Sequence, residues 1–426
     1  MAMKRIGVVA DDITGANDIG VMLAKNGLRA AVLSLEHGPQ ESDFTGADAL
    51  IINTGSRLDS ADVAADKSRR AAEFLLRCGC GLIHTKTCSV FRGNIGASFD
   101  AVQDVLGVEC SMVVAGFPRN GRTTVDGTHF VNGVPVGESA FAHDPVTPIH
   151  HSRLAELIGR QSVRPCREFT WQWYEQDEAA QRAHLEELKR DAAYVIFDVR
   201  DQGDLRRVAE LIRDERNICG ASAICEELPG AWGCQGAPCC LSVGETDALG
   251  VMILAGSLTP QTAAQIDHLK ARGIDSVTLD PVALLTDDAR AQAVAEASAK
   301  AAAIMQAGRD VLVLAAQETA GVREASRVLD VDHVEAGRRI SLAFEGIAAT
   351  VRGLTGASRW VVAGGETSDA VSRGLGVRVM HIWQEIEAGV PVLTAPVDGG
   401  ELRLVLKSGS FGSEAFLAKA ADCLRH

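Results

Sequence analysis

The sequence predicts an α/β protein of two domains, each built on a mainly parallel sheet flanked by helices. Three observations carry this. Short apolar runs such as Ile6–Ala10, Ala49–Asn53 and Val311–Ala315 alternate with amphipathic stretches, the pattern of strands covered on both faces by crossover helices. At 426 residues the chain exceeds what one hydrophobic core ordinarily organises. Between Pro229 and Asp247 it turns rich in Gly, Pro and Cys and loses periodicity, as a domain boundary does. The expected domains are 1–230 and 245–426, joined by a linker at 231–244.

Composition bounds the function. Hydrophobic residues make up 46% and charged residues 23%, which suits a packed globular chain. Aromatics reach only 4% against 42 glycines, favouring close helix-on-sheet packing over an aromatic-rich β fold. A net charge of −14 argues against nucleic acid or an anionic membrane as partner. An acidic chain that binds an anion must then gather its positive charge locally. The apolar run near the N-terminus is too short for a signal peptide, and none approaches the roughly 20 residues of a membrane span. The 11 cysteines include no CxxC, Cys78/Cys80 and Cys239/Cys240 being the nearest pairs, and no zinc-ligand spacing. Reduced thiols in a cytoplasmic protein follow.

The chain then reads element by element. Strand Ile6–Ala10 stops on Asp11 and Asp12, with Thr14 and Gly15 leading into a helix from Ala16 to Asn26. One Asp there is a helix cap; a second needs another reason. Strands follow at Ala30–Leu35 and Ala49–Asn53, the latter running into Ser56 and Arg57. Ala61–Arg77 is helical, with Ala, Phe and Leu on one face. Strand Gly81–His84 delivers Lys86. The loop holding Arg92 and Gly93 precedes a helix at Ala97–Leu106. Strand Ser111–Ala115 leads to Arg119 and Arg122. In a parallel sheet these polar clusters share the carboxyl edge, where ligands bind. Arg offers a carboxylate bidentate contacts and Asp accepts from hydroxyls, so the set suits a small hydroxylated anion.

Residues 126–152 look irregular, with one hairpin at Asn132-Gly133. His150 and His151, adjacent and diverging, make a poor metal site. A strand at Tyr194–Asp198 carries Asp198 and Asp201 at its end. The second half restarts at Val251–Ala255, with a helix near Gln261, strands at Val277–Leu279 and Val311–Ala315, and a helix at 287–306. Trp360–Ala363 precedes another helix, and Val390–Val397 and Glu401–Leu406 form a hairpin.

Three glycine turns in this half point to phosphate: Gly256-Ser257, Gly364-Gly365-Glu366-Thr367 and Lys407-Ser408-Gly409. Glycine lets backbone N–H groups approach phosphate oxygens, and a helix start adds partial positive charge. Ser257 and Thr367 offer hydroxyls and Lys407 compact charge. Glu366 or Asp369 offers a carboxylate for Mg²⁺ through water. No GxxxxGK[ST], GxGxxG after a strand, or GxSxG is present, which excludes a P-loop, the usual dinucleotide fingerprint and a nucleophile elbow.

These stretches resemble the four-carbon acid sugar kinase family, formerly a domain of unknown function, which includes D-threonate, D-erythronate and 3-oxo-tetronate kinases. The resemblance rests on ADDITGAND at 10–18, SR at 56–57, RGNIG at 92–96, P-x-x-GRTT at 118–124, GSLTP at 256–260, GGETS at 364–368, GVP at 389–391 and KSGSFG at 407–412. It implies an N-terminal acid-sugar domain, a C-terminal ATP domain and an active site in the interdomain cleft. Nucleotide positions carry over to Ser257, Gly364 to Thr367 and Gly409. Substrate positions carry over to Asp11/Asp12, Arg57, Lys86 and Arg92-Gly93. Where many members have Asp-Ser-Thr-Leu-Arg, this chain has Cys88-Ser89-Val90-Phe91-Arg92, which opens the identity of the sugar. The expected reaction uses ATP and Mg²⁺. Asp12, with Asp11 next, takes the proton of the attacking hydroxyl; Arg57, Lys86, Arg92 and Arg122 surround the substrate, and Lys407 and Gly409 the phosphates. The alternatives are an NAD-dependent acid-sugar oxidoreductase and a non-catalytic sugar-acid sensor. Metal ligands and homo-oligomer formation stay open.

Overall fold

A computed structural model describes residues 5–144, 147–234, 248–257, 259–315, 326–331 and 333–425, without the side chains of 333–334. The chain forms two compact units, residues 1–239 and 240–426. The expected linker lies outside the described residues from 235 on, as do Cys239 and Cys240.

In the first unit, β1 (Ile6–Ala10), β2 (Ala30–Ser34), β3 (Ala49–Asn53), β4 (Leu82–Lys86) and β5 (Ser111–Val114) are almost wholly buried, and all but β4, which carries His84, Thr85 and Lys86, are mainly apolar. Helices α1 (Ile13–Ala24), α2 (Ala61–Arg77) and α3 (Ile95–Leu106) connect them. A small antiparallel sheet of β6 (Arg122–Val125), β7 (Thr128–Val131) and β8 (Val134–Pro135) follows. Then come α4 (Leu154–Gly159), β9 (Cys166–Phe169), α5 (Glu178–Asp191), β10 (Tyr194–Phe197), α6 (Gln202–Ile212), β11 (Asn217–Gly220) and α7 (Ile224–Ala231). The main sheet runs β2-β3-β1-β4-β11-β5-β10-β9, parallel throughout. Every residue of α1 is buried, as a helix packed against β2, β3 and α7 must be.

The second unit comprises β12 (Met252–Ala255), α8 (Pro260–Ala271), β13 (Asp275–Leu279), α9 (Asp287–Gln306), β14 (Val311–Ala315), α10 (His333–Thr355), β15 (Arg359–Ala363), α11 (Gly365–Gly374), β16 (Val379–Glu387), β17 (Val390–Val397), β18 (Gly400–Lys407) and α12 (Phe416–Arg425). Its strands order β13-β14-β12-β15-β18-β17-β16. The first five are parallel, and β17 runs antiparallel to both its neighbours.

Three differences from the sequence reading are instructive. The segment that reads as irregular carries two hairpins: besides Asn132-Gly133, Asp126-Gly127 turns β6 into β7 with positive φ at both residues, as an Asp-Gly pair favours. Strands β9, β11 and β16 add to those the sequence predicts, and β11 is central. Helix α1 starts at Ile13 rather than Ala16, because Asp12 caps it.

Candidate functional site

The carboxyl edge of the first sheet is built from backbone inward. Strand β1 ends between β3 and β4, and Asp11 N–H continues the ladder to the Lys86 carbonyl at 3.2 Å. Ser56 and Arg57 N–H both donate to the Asp11 carbonyl. That folds the segment after β3 across the end of β1 and places Arg57 against both aspartates. Its Nε and Nη2 donate to Asp11 at 2.9 and 2.7 Å, and Nη1 donates to Asp12 Oδ2 at 2.5 Å. Gly93, at φ 92°, lies against Arg57; a Cβ there would stand 3.0 Å from the Arg57 carbonyl oxygen. Glycine is required at that close approach.

Asp12 is the N-cap of α1. Its Oδ1 accepts from Gly15 N–H at 2.7 Å and its Oδ2 from the Thr14 hydroxyl at 2.8 Å. Burial alone would raise this carboxyl, but Arg57, Lys86, Thr14 and Gly15 together hold it below its ordinary value. Burial likewise opposes charge on Arg57, and the two aspartates overcome it and lift its pKa. Lys86 is 3% exposed and donates to the Thr87 carbonyl at 2.9 Å.

Arg92 stands farther along this edge. It donates to Asp144 at 2.8 Å, lies 5.5 Å over the Phe141 ring, and has Nε 3.4 Å from Cys88 Sγ. Burial pushes the Cys88 thiol up, but Arg92 and Arg57 bring it below its ordinary value. Cys88 also packs with Val90, Val131, Val136 and Ile149 as a wall. Arg122 is 7% exposed, donates to the Asn120 carbonyl, and leaves its Nε unpaired. The structure thus gathers Asp11, Asp12, Arg57, Lys86 and Gly93, with Arg92 and Arg122 flanking Cys88. Arg119 is not among them: it is largely exposed and pairs with Glu226. Asp198 accepts from the N–H groups of Asp126, Gly127 and Trp171, and Asp201 caps α6, so both hold loops in place. His151 pairs with Glu156 and Arg160.

In the second unit the three glycine turns interlock at the ends of adjacent strands β12, β15 and β18. Gly256 and Ser257 N–H donate to the Ala363 carbonyl, and Gly364 N–H to the Lys407 carbonyl. A Cβ on Gly409 would overlap the Ser257 hydroxyl, and one on Gly256 would overlap the Thr367 hydroxyl. Gly364, at φ 126°, would bring a Cβ 3.2 Å from Ser257 N. Gly365, Glu366 and Thr367 open α11. The predicted set Ser257, Gly364, Gly365, Glu366, Thr367, Lys407 and Gly409 therefore forms one cradle.

The cap and first turns of α8 add residues that the sequence reading does not include. Thr259 and Thr262 hydroxyls donate to the Gly409 carbonyl at 2.7 and 2.9 Å, and Gln265 spans the carbonyls of Phe411 and Ser413. The T-x-x-T spacing after Ser257 was the available signal, since it puts both hydroxyls on the first turn. Lys407 is fully buried, its Nζ 3.1 Å from Thr262 Oγ1 and 3.2 Å from the Gly409 carbonyl. Burial alone brings it down to about 7. Among the described residues no cluster of three His, Cys, Asp or Glu is placed to hold a metal, and no helix is long and apolar enough to cross a membrane.

Comparisons with known proteins decide the family. A model for a sugar-binding N-terminal domain matches residues 6–228, and one for a nucleotide-binding C-terminal domain matches 252–417. A 3-oxo-tetronate kinase of Salmonella typhimurium is 31% identical over 98% of this chain and 99% of its own. A D-threonate kinase of the same organism is 30% identical over 98% and 95%. The chain belongs to the four-carbon acid sugar kinase family. Another family relative, a 3-oxo-tetronate kinase of Pseudomonas fluorescens, is 33% identical over 97% of this chain and 96% of its own. Among solved structures, a Salmonella typhimurium protein described as a candidate tRNA synthase matches with TM-score 0.81 at 28% identity, covering 97% of this chain and 98% of that one. A Haemophilus influenzae protein from the family's time as a domain of unknown function matches at TM-score 0.72 and 27% identity, covering 98% and 100%. The curated relatives named here are kinases, which leaves the oxidoreductase and sensor alternatives without support.

Proposed function

We propose that this protein is an ATP-dependent kinase that phosphorylates a hydroxyl of a small sugar acid, with a 3-oxo-tetronate as first candidate and D-threonate second. The observation that carries the reading is the glycine cradle. Its close-packed glycines, the helix start at Gly365 and a buried lysine facing no carboxylate among the described residues suit a triphosphate. Ser257, Gly364 to Thr367, Lys407 and Gly409 hold the nucleotide. ATP, when bound there, supplies the phosphoryl group. Glu366 or Asp369 would hold Mg²⁺ through water, and the ion would offset phosphate charge.

On the first unit, Lys86, Arg92 and Arg122 hold the acid group. The Asp11–Arg57–Asp12 network, backed by Gly93, fixes the geometry of that pocket. Asp12 is the expected base with Asp11 next in line, and each of their oxygens already accepts from Arg57, Thr14 or Gly15. Domains at 1–230 and 245–426 serve sugar and nucleotide respectively. Free thiols and ATP use fit a cytoplasmic setting. The test is ADP release with MgATP across four- and five-carbon sugar acids and their 3-oxo forms. Turnover on a 3-oxo-tetronate is expected; no ADP release with any acid overturns the reading.

A further inference from the structure

The first unit holds a third buried carboxylate beside Lys86, apart from the Asp11–Arg57–Asp12 network. Asp18 lies one and a half turns beyond the start of α1 and is 3% exposed. Lys86 Nζ stands 3.6 Å from its Oδ2, while its Oδ1 has no hydrogen-bond partner, and the Ser222 hydroxyl beside the same carboxyl has none either. The groups around it come from several elements: Lys86 on β4, Asp12 at the α1 cap, Ser222 before α7, Cys225 on α7 and Arg122 on β6. His84 on β4 lies behind Lys86, its Nδ1 3.8 Å from Cys225 Sγ. Arg122 is nearly as buried as Asp18 and its Nε is unpaired too.

Buried polar atoms are nearly always paired. Here an orphan acceptor and an orphan donor belong to two buried groups that interact electrostatically. A ligand carrying both a hydroxyl and an acid group would satisfy both. Asp12, by contrast, has each oxygen engaged. We propose that Asp18 is the catalytic base, its Oδ1 taking the proton of the acceptor hydroxyl while Lys86 and Arg122 hold the acid group. This rests on the kinase reading above. In the step, the hydroxyl O–H bond breaks as the O–P bond forms, and the bridging P–O bond of ATP breaks. ADP leaves with that electron pair, and the proton passes from Asp18 to solvent.

The electrostatics agree with the geometry. Burial raises the Asp18 carboxyl, and Lys86 and Ser222 offset only part, leaving it at about 6. It is thus ionised at neutral pH yet more basic than Asp12, which suits proton transfer.

The experiment is the pH profile of kcat/KM for wild type and for Asp18→Asn, Asp18→Glu and Ser222→Ala, with melting curves and ATP calorimetry alongside. Wild type should lose kcat/KM below an inflection near pH 6, as Asp18 is protonated. Asp18→Asn should lower kcat about 10²–10⁴-fold, leave ATP affinity unchanged and remove that limb, and Asp18→Glu should restore part of the rate. Ser222→Ala should move the limb to higher pH, because Ser222 favours the ionised carboxyl. A limb from titration of ATP itself would persist in Asp18→Asn. Near-normal kcat in Asp18→Asn, or a limb that stays put in Ser222→Ala, overturns the assignment even if Asp18→Asn proves unstable. Wild type inactive on every acid sugar would instead overturn the kinase reading.

Discussion

Replacing Lys407 with Met should stabilise the second unit while damaging its function. The ammonium is completely buried, accepts no counter-charge from a described carboxylate, and is brought from an ordinary value near 10.5 to about 7. In the unfolded chain it stays protonated to about pH 10.4. Between about pH 7 and 10.4 the unfolded state therefore binds more protons than the native state, so stability rises with pH across that window. Below pH 7 the cost of the buried charge is present in full. A shift of about 3.5 units at about 1.36 kcal/mol each sets a ceiling of about 5 kcal/mol. Loss of two hydrogen bonds, at about 1 kcal/mol each, reduces the net gain to about 3 kcal/mol. For a unit of this size that is a rise of about 6–12 °C in melting temperature. In wild type, a triphosphate in the cradle should draw the ammonium back to its charged form. At pH 8 binding should then take up about 0.9 proton, read by calorimetry in buffers of different ionisation enthalpy. Lys407→Met should melt higher, bind ATP at least about 10-fold more weakly and show no uptake. A lower melting temperature, or proton uptake unchanged in the variant, would refute the argument.

Other consequences follow from the same contacts. Arg57→Ala strands two adjacent buried carboxylates and should cost about 3–5 kcal/mol in urea unfolding; a loss under about 1 kcal/mol would mean the network is solvated. Asp12→Ala removes both the helix cap and the ion pair, whereas Asp12→Asn keeps the cap, so Asn should recover about 1 kcal/mol relative to Ala; equal melting of the two would contradict the cap. Gly409→Ala drives a methyl into Ser257 and Thr259, and should cost about 1–3 kcal/mol and weaken ATP binding without changing sugar-acid binding by calorimetry. Cys88, held below its ordinary value by two guanidiniums, should alkylate at lower pH than Cys78, Cys80 and Cys110, whose thiols burial raises. Peptide mapping after iodoacetamide reads this, and a sugar acid should protect Cys88.

The parts of this molecule that declared themselves in sequence did so through local physics. Ala49–Asn53 and Val311–Ala315 are uninterrupted apolar runs, and the structure gives strands with those bounds. The glycines of the cradle were legible because a strand followed by Gly is a local signal. What eluded the sequence depends on tertiary placement. Asn217–Gly220 offers only Ile218 and Cys219 as apolar residues, and its complete burial comes from lying between β4 and β5. Asp18 looks like one polar residue on a helix until α7 and β4 close around it. Arg57 and Arg119 both follow strands, yet one is buried against two carboxylates and the other is largely exposed, pairing with Glu226.

The late arrival of β11 bears on how the protein is made. Its neighbours β4 and β5 end by Val114, but the strand that joins them starts only at Asn217. During synthesis the first unit must therefore wait for the intervening residues with two apolar strand edges unpaired in the middle of its sheet. Such edges invite pairing with other chains, and long-range parallel pairing forms slowly. A nascent chain halted before residue 217 should bind hydrophobic-surface dyes and chaperones avidly. One released just past α7 should close its sheet and let them go.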